Sequence, residues 1–433
     1  MSSLPSSSSL AIVLSLLLLL SCPGTIAADG QPPSKPIVTP ITKDPFTNLY
    51  TIPVKNGAPL VLDLAGSLVW STCQQGHRTI PCKSSLCKVA NRNHPASCAW
   101  SKIGGYPGNA DPRCACSAYP YNPASGQCGI GDLTVEPLAA NATDGKHPLF
   151  PVSFNVIGSC APDGLLESLP SGAAGVAGLS RLPLSLPSQV ASKLKVAKQF
   201  ALCLTSDGNT GAAIFGGGPF VLETGMPGPA DFSQGQDSQL PLVKNPKNGA
   251  YYFRVHGVAV NQEQVPIAPG ALDLDARSGK GGVVFSTTTQ YTTLRSDIFN
   301  AVVTAFEKAT SVFTRVKPPP PHNVCFETSA FTGTAFGPGF ANIDLMLDNG
   351  RNWTLLAAST LVSVGTERYC FAFQNMGSPA SEAIDAPAII FGTHQMEDNV
   401  VQFDLEKNTF GFSGLLRGAR THCGNFNFNV GSS

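Results

Sequence analysis

The sequence predicts a mostly β protein built as two lobes, and three observations carry that prediction. Short runs rich in β-branched and aromatic residues recur along the chain, punctuated by 43 glycines and 36 prolines. Hydrophobic residues reach 42% while charged residues stay at 13%, enough to fill large cores and to exclude global disorder. A turn-rich stretch, Asp207–Gln239, separates two strand-dominated portions of similar length. At 433 residues the chain exceeds one ordinary domain, and the break places an N-terminal lobe at 29–240 and a C-terminal lobe at 241–433.

Each element follows in chain order. The apolar run Leu10–Leu20 is too short to span a bilayer but fits the core of a secretory signal, residues 1–28, with Ala27 and Ala28 at the cleavage point. No Lys or Arg precedes the run, a departure from the usual basic start. No later apolar stretch reaches the length of a membrane helix, so the mature chain is expected outside the cell, with no membrane partner. Asp29–Lys43 is proline-rich and reads as extended. Strand-like runs follow at Leu49–Val54, Pro59–Asp63 and Leu68–Ser71, then a cysteine-rich, loop-like stretch from Cys73 to Cys128. Two segments carry helical periodicity: Pro187–Leu204, through Val190, Leu194, Ala197 and Ala201, and Ser296–Phe313, through Ile298, Val302, Phe306 and Val312. Pro318–Pro321 reads as a stiff exposed loop.

Charge and cysteine usage narrow the function classes. Lys+Arg and Asp+Glu both number 28, whereas a nucleic-acid binder needs a basic face to neutralise phosphates, so no nucleic-acid partner is expected. Removing the signal takes Cys22 and leaves twelve of the 13 cysteines, an even set that points to six disulfides in an exported chain. Nine of the twelve precede Asp207 and three follow Gln239; both counts are odd, so full pairing demands a bridge between the halves. A terminal cysteine crossing back makes Cys203–Cys423 the choice and leaves Cys325–Cys370; Cys73–Cys160 would join two core strands, and the other pairings stay open. Cys82–Cys87 and Cys114–Cys116 resemble zinc spacings only loosely, with few histidines beside them, so no metal and no cofactor are expected. The sequons at Asn141 and Asn352 are expected to carry glycans. No Gly-x-Ser-x-Gly elbow, HExxH helix or phosphate-binding Gly-x-x-x-x-Gly-Lys loop appears.

The most informative segment is Val61-Leu62-Asp63-Leu64-Ala65-Gly66-Ser67-Leu68-Val69-Trp70. It resembles the first active-site segment of pepsin-like aspartic proteases, where apolar residues lead into Asp-Thr-Gly and a Trp follows seven residues after the Asp. Asp63 and Trp70 keep that spacing, while Leu64 and Ala65 replace the Thr and Gly. Gly178-Leu179-Ser180, Ile214-Phe215-Gly216-Gly217, Ile389-Ile390-Phe391-Gly392, Val401–Leu405 and Phe410–Ser413 resemble further landmarks of the same superfamily, so the likeness covers nearly the whole mature chain. The fold implied is the bilobal pepsin-like one, two β-barrel-like lobes with a few short helices. The protease mechanism needs two carboxylates sharing a proton, one from each lobe. Gly282-Val283-Val284-Phe285 leads instead into Ser286-Thr287-Thr288-Thr289, so Ser286 stands where the second Asp belongs. The flap-like segment Tyr119–Ser125 keeps Tyr121 but lacks a flexible Gly-x-Gly. Asp63, Ser286 and Tyr121 therefore read as vestiges of a protease site, and the chain as no enzyme.

Within the superfamily the chain is most similar to plant proteins grouped with the cereal TAXI-type xylanase inhibitors. Their relatives include the extracellular dermal glycoprotein, glucanase inhibitors and the legume basic seed globulin. Val38–Pro45, Leu49–Pro53 and Leu60–Cys73 resemble the cereal inhibitors, and the tail Gly414–Phe428 looks more like the dermal glycoprotein branch. The resemblance implies a secreted inhibitor of microbial glycoside hydrolases, endoxylanases above all, acting in plant defence at the cell wall (the apoplast). The alternatives it implies are a xyloglucanase or endoglucanase inhibitor, a non-inhibitory seed-globulin-like binding protein, and a residual aspartic endopeptidase. Such inhibitors push C-lobe loops into a substrate cleft that holds a pair of carboxylates, where an inserted cation makes charge-assisted hydrogen bonds. By resemblance Arg420 matches a cleft-inserting arginine and Phe336 the apolar contact, while a second inserted arginine falls near Ala335 and is absent. The third candidate contact is His422, which stands immediately before Cys423, a different register from the tail histidine that the cereal inhibitors use.

Overall fold

The computed structural model describes residues 35–93, 95, 98, 114–144, 149–206, 208–233, 239–334, 336–377 and 386–429. The expected signal segment 1–28, part of the turn-rich break and Ala335 lie outside them. The fold is mostly β and two-lobed, and its strands are explained by where the apolar residues fall. Tyr50–Lys55 and Ala58–Asp63 are antiparallel neighbours whose buried Tyr50, Ile52, Leu60 and Leu62 feed one core. Gly175–Gly178, buried at every position, runs parallel to Ala58–Asp63, pairing Asp63 with Gly178. Val69–Thr72 returns antiparallel on its other side.

The same arrangement recurs in the second half. Val283–Phe285 pairs parallel with Ile389–Phe391, and Thr292–Leu294 returns antiparallel against the latter. Asp63 ends the first of these motif strands, and Ser286 directly follows the second. Beneath both lies a shared antiparallel floor in the order Ile37–Lys43, Gly211–Phe215, Gln199–Cys203, Val400–Asp404, Thr409–Phe412 and Leu240–Val243. Its aromatic centre includes Phe200 stacked on Phe403, with ring centroids 4.8 Å apart, and Tyr251 against Phe403 at 4.7 Å.

Cysteines pair as Cys73–Cys160, Cys82–Cys114, Cys87–Cys116, Cys98–Cys128, Cys203–Cys423 and Cys325–Cys370. The zinc-like spacings thus belong to the adjacent bridges from Cys82 and Cys87. Among the described residues the one cluster of potential metal ligands is Cys73, His77 and Cys160, whose sulfurs are bound to each other and offer no thiolate. No described helix is long and apolar enough to cross a membrane.

Both helical readings extend past the C-terminal ends of the helices. The segment expected as a helix to Leu204 is helical only over Leu186–Leu194; Lys195 turns left-handed at φ 56° and Gln199–Cys203 is a strand. Ala197 and Ala201 fit either period, but Phe200, Ala201, Leu202 and Cys203 are all buried, as in a strand covered on both faces. The second helix spans Ser296–Ala309, burying Ile298, Val302 and Phe306, and Val312 lies beyond its end, 85% exposed. The cysteine-rich stretch contains a short helix, Ser85–Arg92, capped by the Ser84 hydroxyl accepting from Cys87 N.

Candidate functional site

Asp63 ends a strand whose last four residues are buried, and the chain immediately turns. Its carbonyl accepts hydrogen bonds from Leu179 N at 2.7 Å and Gly66 N at 3.1 Å, and its Oδ1 accepts from Ala65 N at 2.9 Å. Gly66 permits the turn, because a Cβ there would lie 2.6 Å from Gly178 Cα. The carboxyl is 4% exposed, and burial pushes its pKa from the ordinary 3.8 up to about 6, against the pull of the Ala65 and Gly66 backbone N–H groups.

The facing loop starts at Ser286. Its Oγ accepts from Thr288 N at 3.2 Å and Thr289 N at 3.1 Å, a backbone cradle around a neutral hydroxyl. The two loops are fastened together by Thr287, which is 1% exposed. Its hydroxyl donates to Leu62 O at 2.7 Å and accepts from Leu64 N at 3.1 Å. Leu64 carries no hydroxyl to return the contact, so the latch runs one way. Sequence reasoning passed over Thr287; the signal available was its place between Ser286 and Thr288 in a loop that must meet the Asp63 loop.

Asp63 and Ser286 open on a cleft of about 720 Å³, walled by Trp70, Tyr121, Tyr252 and Ile390 and edged by Arg92 and Lys247. Asp63 is the only carboxylate among the described lining residues. Tyr121 sits half-buried at its rim, and Trp70 Nε1 donates to Tyr121 O at 2.9 Å. The hairpin behind Tyr121 is held by fully buried Asn122, whose Nδ2 donates to Leu165 O at 2.8 Å and Glu167 O at 2.7 Å. Cys98–Cys128 staples the same hairpin. Asn122 was also not singled out by sequence; a side chain with both donors and acceptors beside a proline was its only signal.

The remaining candidates lie on the tail and its surroundings. Arg420 is exposed, its backbone left-handed at φ 53°, and its guanidinium has no hydrogen bond or ion pair among the described residues. Its main chain is fixed at both ends: Arg420 N donates to Arg417 O at 3.1 Å, and Arg420 O accepts from Gly225 N at 3.0 Å. Phe336, 38% exposed, lies over Gly418, where a Cβ would be 3.6 Å from its ring. His422 turns inward, its Nδ1 accepting from Gly424 N at 3.2 Å to cap the last turn. Phe336 thus lies against Gly418, two residues before Arg420 in the chain, and His422 hydrogen-bonds within the tail. Asn352 is exposed at the start of the strand Asn352–Leu355, and Asn141 is half-buried within Gly131–Ala142.

Comparison with known proteins places this geometry. The chain is 44% identical over 431 residues to chitinase CLP of Oryza sativa subsp. japonica, covering 97% of this chain and 98% of that protein. It is 32% identical to probable aspartic proteinase GIP2 of Nicotiana benthamiana, covering 96% and 97% of the two chains. The crystal structure of EDGP superposes with a TM-score of 0.80 at 30% identity, covering 92% of this chain and 99% of that one. Residues 50–217 match the model described as xylanase inhibitor N-terminal, and residues 250–414 the model described as xylanase inhibitor C-terminal. With both halves matched, the chain belongs to the xylanase inhibitor family, on a pepsin-like aspartic-protease fold.

Proposed function

We propose that this chain is a secreted, catalytically silent aspartic-protease homologue that inhibits microbial endoxylanases in plant defence. The observation that carries the reading is the match of both halves to xylanase inhibitor models. Silence as a peptidase is supported by the cleft, where Asp63 has no second carboxylate among the described lining residues and Ser286 cannot ionise. An endoxylanase cleft holds a nucleophile and an acid/base carboxyl. Arg420, unpaired and on fixed backbone, enters such a cleft with charge-assisted hydrogen bonds, and Phe336 supplies apolar contact. Endoglucanases and xyloglucanases carry the same paired carboxyls and are the alternative targets. Residues 1–28 direct export to the apoplast and are removed on the way, and Asn141 and Asn352 are glycosylated.

Titrating purified fungal endoxylanases and endoglucanases with the protein tests the reading. Inhibition that Arg420→Ala weakens roughly tenfold or more supports it. Absence of inhibition across the panel favours a seed-globulin-like binding protein, and acid-pH peptide cleavage abolished by Asp63→Ala establishes a residual endopeptidase.

One finding favours a second reading, the 44% identity to a protein named chitinase. Ordinary glycosidases use two carboxyls, but hydrolysis assisted by a substrate acetamido group needs fewer from the protein. Asp63, protonated up to about pH 6, has the acidity of a general acid for such a substrate. Release of chito-oligosaccharides by the parent, lost in Asp63→Asn, would replace the inhibitor reading.

A further inference from the structure

Large apolar side chains stand exposed at few described positions, among them Met226 at 56%, next to Gly225, which abuts Arg420, and Phe336 at 38%, which lies over Gly418. The Met226 loop comes from the middle of the chain, yet it is built onto the tail. Leu222 bridges Phe426, Glu223 N donates to Asn425 O at 3.0 Å, and Thr421 Oγ1 donates to Glu223 O at 2.5 Å. Gly225 N then donates to Arg420 O, and a Cβ at Gly225 would sit 3.2 Å from Arg420 Cβ. The arginine stem therefore lies along the loop backbone, and any side chain at Gly225 would displace it. Thr224 closes the loop on itself, accepting from Met226 N at 3.2 Å and donating to Gly228 O at 2.8 Å, with Pro227 and Pro229 stiffening its exit.

We propose that the loop Thr224–Gly228, with Met226 at its tip, is a further part of the surface that docks on the glycoside hydrolase, seated on the aromatic rim of the cleft that Arg420 enters. The inference rests on the inhibitor reading and adds to it a contact from the middle of the sequence. A cation without an ion pair among the described residues, with exposed apolar side chains on the segments beside it, is complementary to an acidic cleft with an apolar edge. It does not suit a polyanion, because Arg417 is already paired with Asp398 at 3.7 Å and Glu223 is exposed in the same loop. Saccharide-binding clefts present aromatic faces to sugar rings, and a thioether on a flexible stem packs well against such rings. Preordering of the loop by Thr224 and the tail lowers the entropic cost of that contact.

The test is inhibition of the same endoxylanase and endoglucanase panel by Met226→Ala, Met226→Glu and, as an exposed apolar control beside the flap, Ile130→Ala. Met226→Ala is expected to raise the inhibition constant about three- to tenfold and Met226→Glu more than tenfold, because a carboxylate would face the acidic cleft. Melting temperatures of both should stay at the parent value, and Ile130→Ala should inhibit as the parent does. If both Met226 variants inhibit like the parent while Arg420→Ala does not, the loop is no part of the interface and the inhibitor reading stands. If the parent inhibits no enzyme of the panel, the inhibitor reading fails and the loop proposal falls with it.

Discussion

Asp63 is a carboxylic acid placed where ionisation is costly, and that cost is measurable. Below its ordinary pKa of 3.8 it is protonated in both folded and unfolded chains; between 3.8 and about 6 only the unfolded chain ionises. Stability from this group is therefore complete at low pH, declines across that window and stays lower above it, by about 3 kcal/mol. Asp63→Asn should accordingly stabilise the protein by about that amount at pH 7 and by little at pH 3.5, read from denaturant melts. Parallel pH profiles for parent and variant would rule out burial as the controlling cause. Ser286 incurs no such cost, since its Oγ accepts two backbone N–H groups without a charge to desolvate. The Asp63 and Ser286 positions could be found in the sequence because each follows an apolar run. The inward turn of His422 could not, because its partner Gly424 N matters only once Cys423 has fixed the tail.

At the scale of elements, the two loops depend on one hydroxyl. Thr287 satisfies Leu62 O and Leu64 N across more than two hundred residues of chain. Thr287→Val keeps the shape and orphans both groups, so a loss of about 2–4 kcal/mol is expected in chemical denaturation. A loss below about 1 kcal/mol would mean that water replaces the hydroxyl and that the loops are not held by it. The strands leading into these loops were visible as apolar runs, whereas the segment after Lys195 was not. Alanines carry too little side chain to reveal a period, and the decision between helix and strand rested on neighbours in the floor sheet.

Across the whole molecule, the halves are joined by more than the floor sheet. Lys43 and Tyr50 from the first half meet Glu397 from the second, at 2.6 and 2.7 Å, with His394 Nδ1 at 3.3 Å. Burial pushes the Glu397 carboxyl up, but His394 and Lys43 outweigh it and hold the pKa below the ordinary 4.5. Its contribution is present above pH 4.5 and lost as the pH falls through the lowered value. Glu397→Gln should cost about 3–5 kcal/mol at pH 7 and remove the corresponding slope of stability below pH 4.5. Cys203–Cys423 closes a sequence separation of 220, and the Cys203→Ser, Cys423→Ser pair should cost about 2–5 kcal/mol while releasing the tail that carries Arg420. Read alone, the residues specified the mostly β class, the family resemblance and the site-like character of Asp63, because apolar runs, turn-formers and short motifs are local signals. Folding alone decided the one-way Thr287 latch, the Asn122 anchor and the seating of the Met226 loop against the backbone of Arg420. Those arrangements depend on hydrogen bonds and close approaches between segments far apart in the chain, and no local pattern encodes such partners.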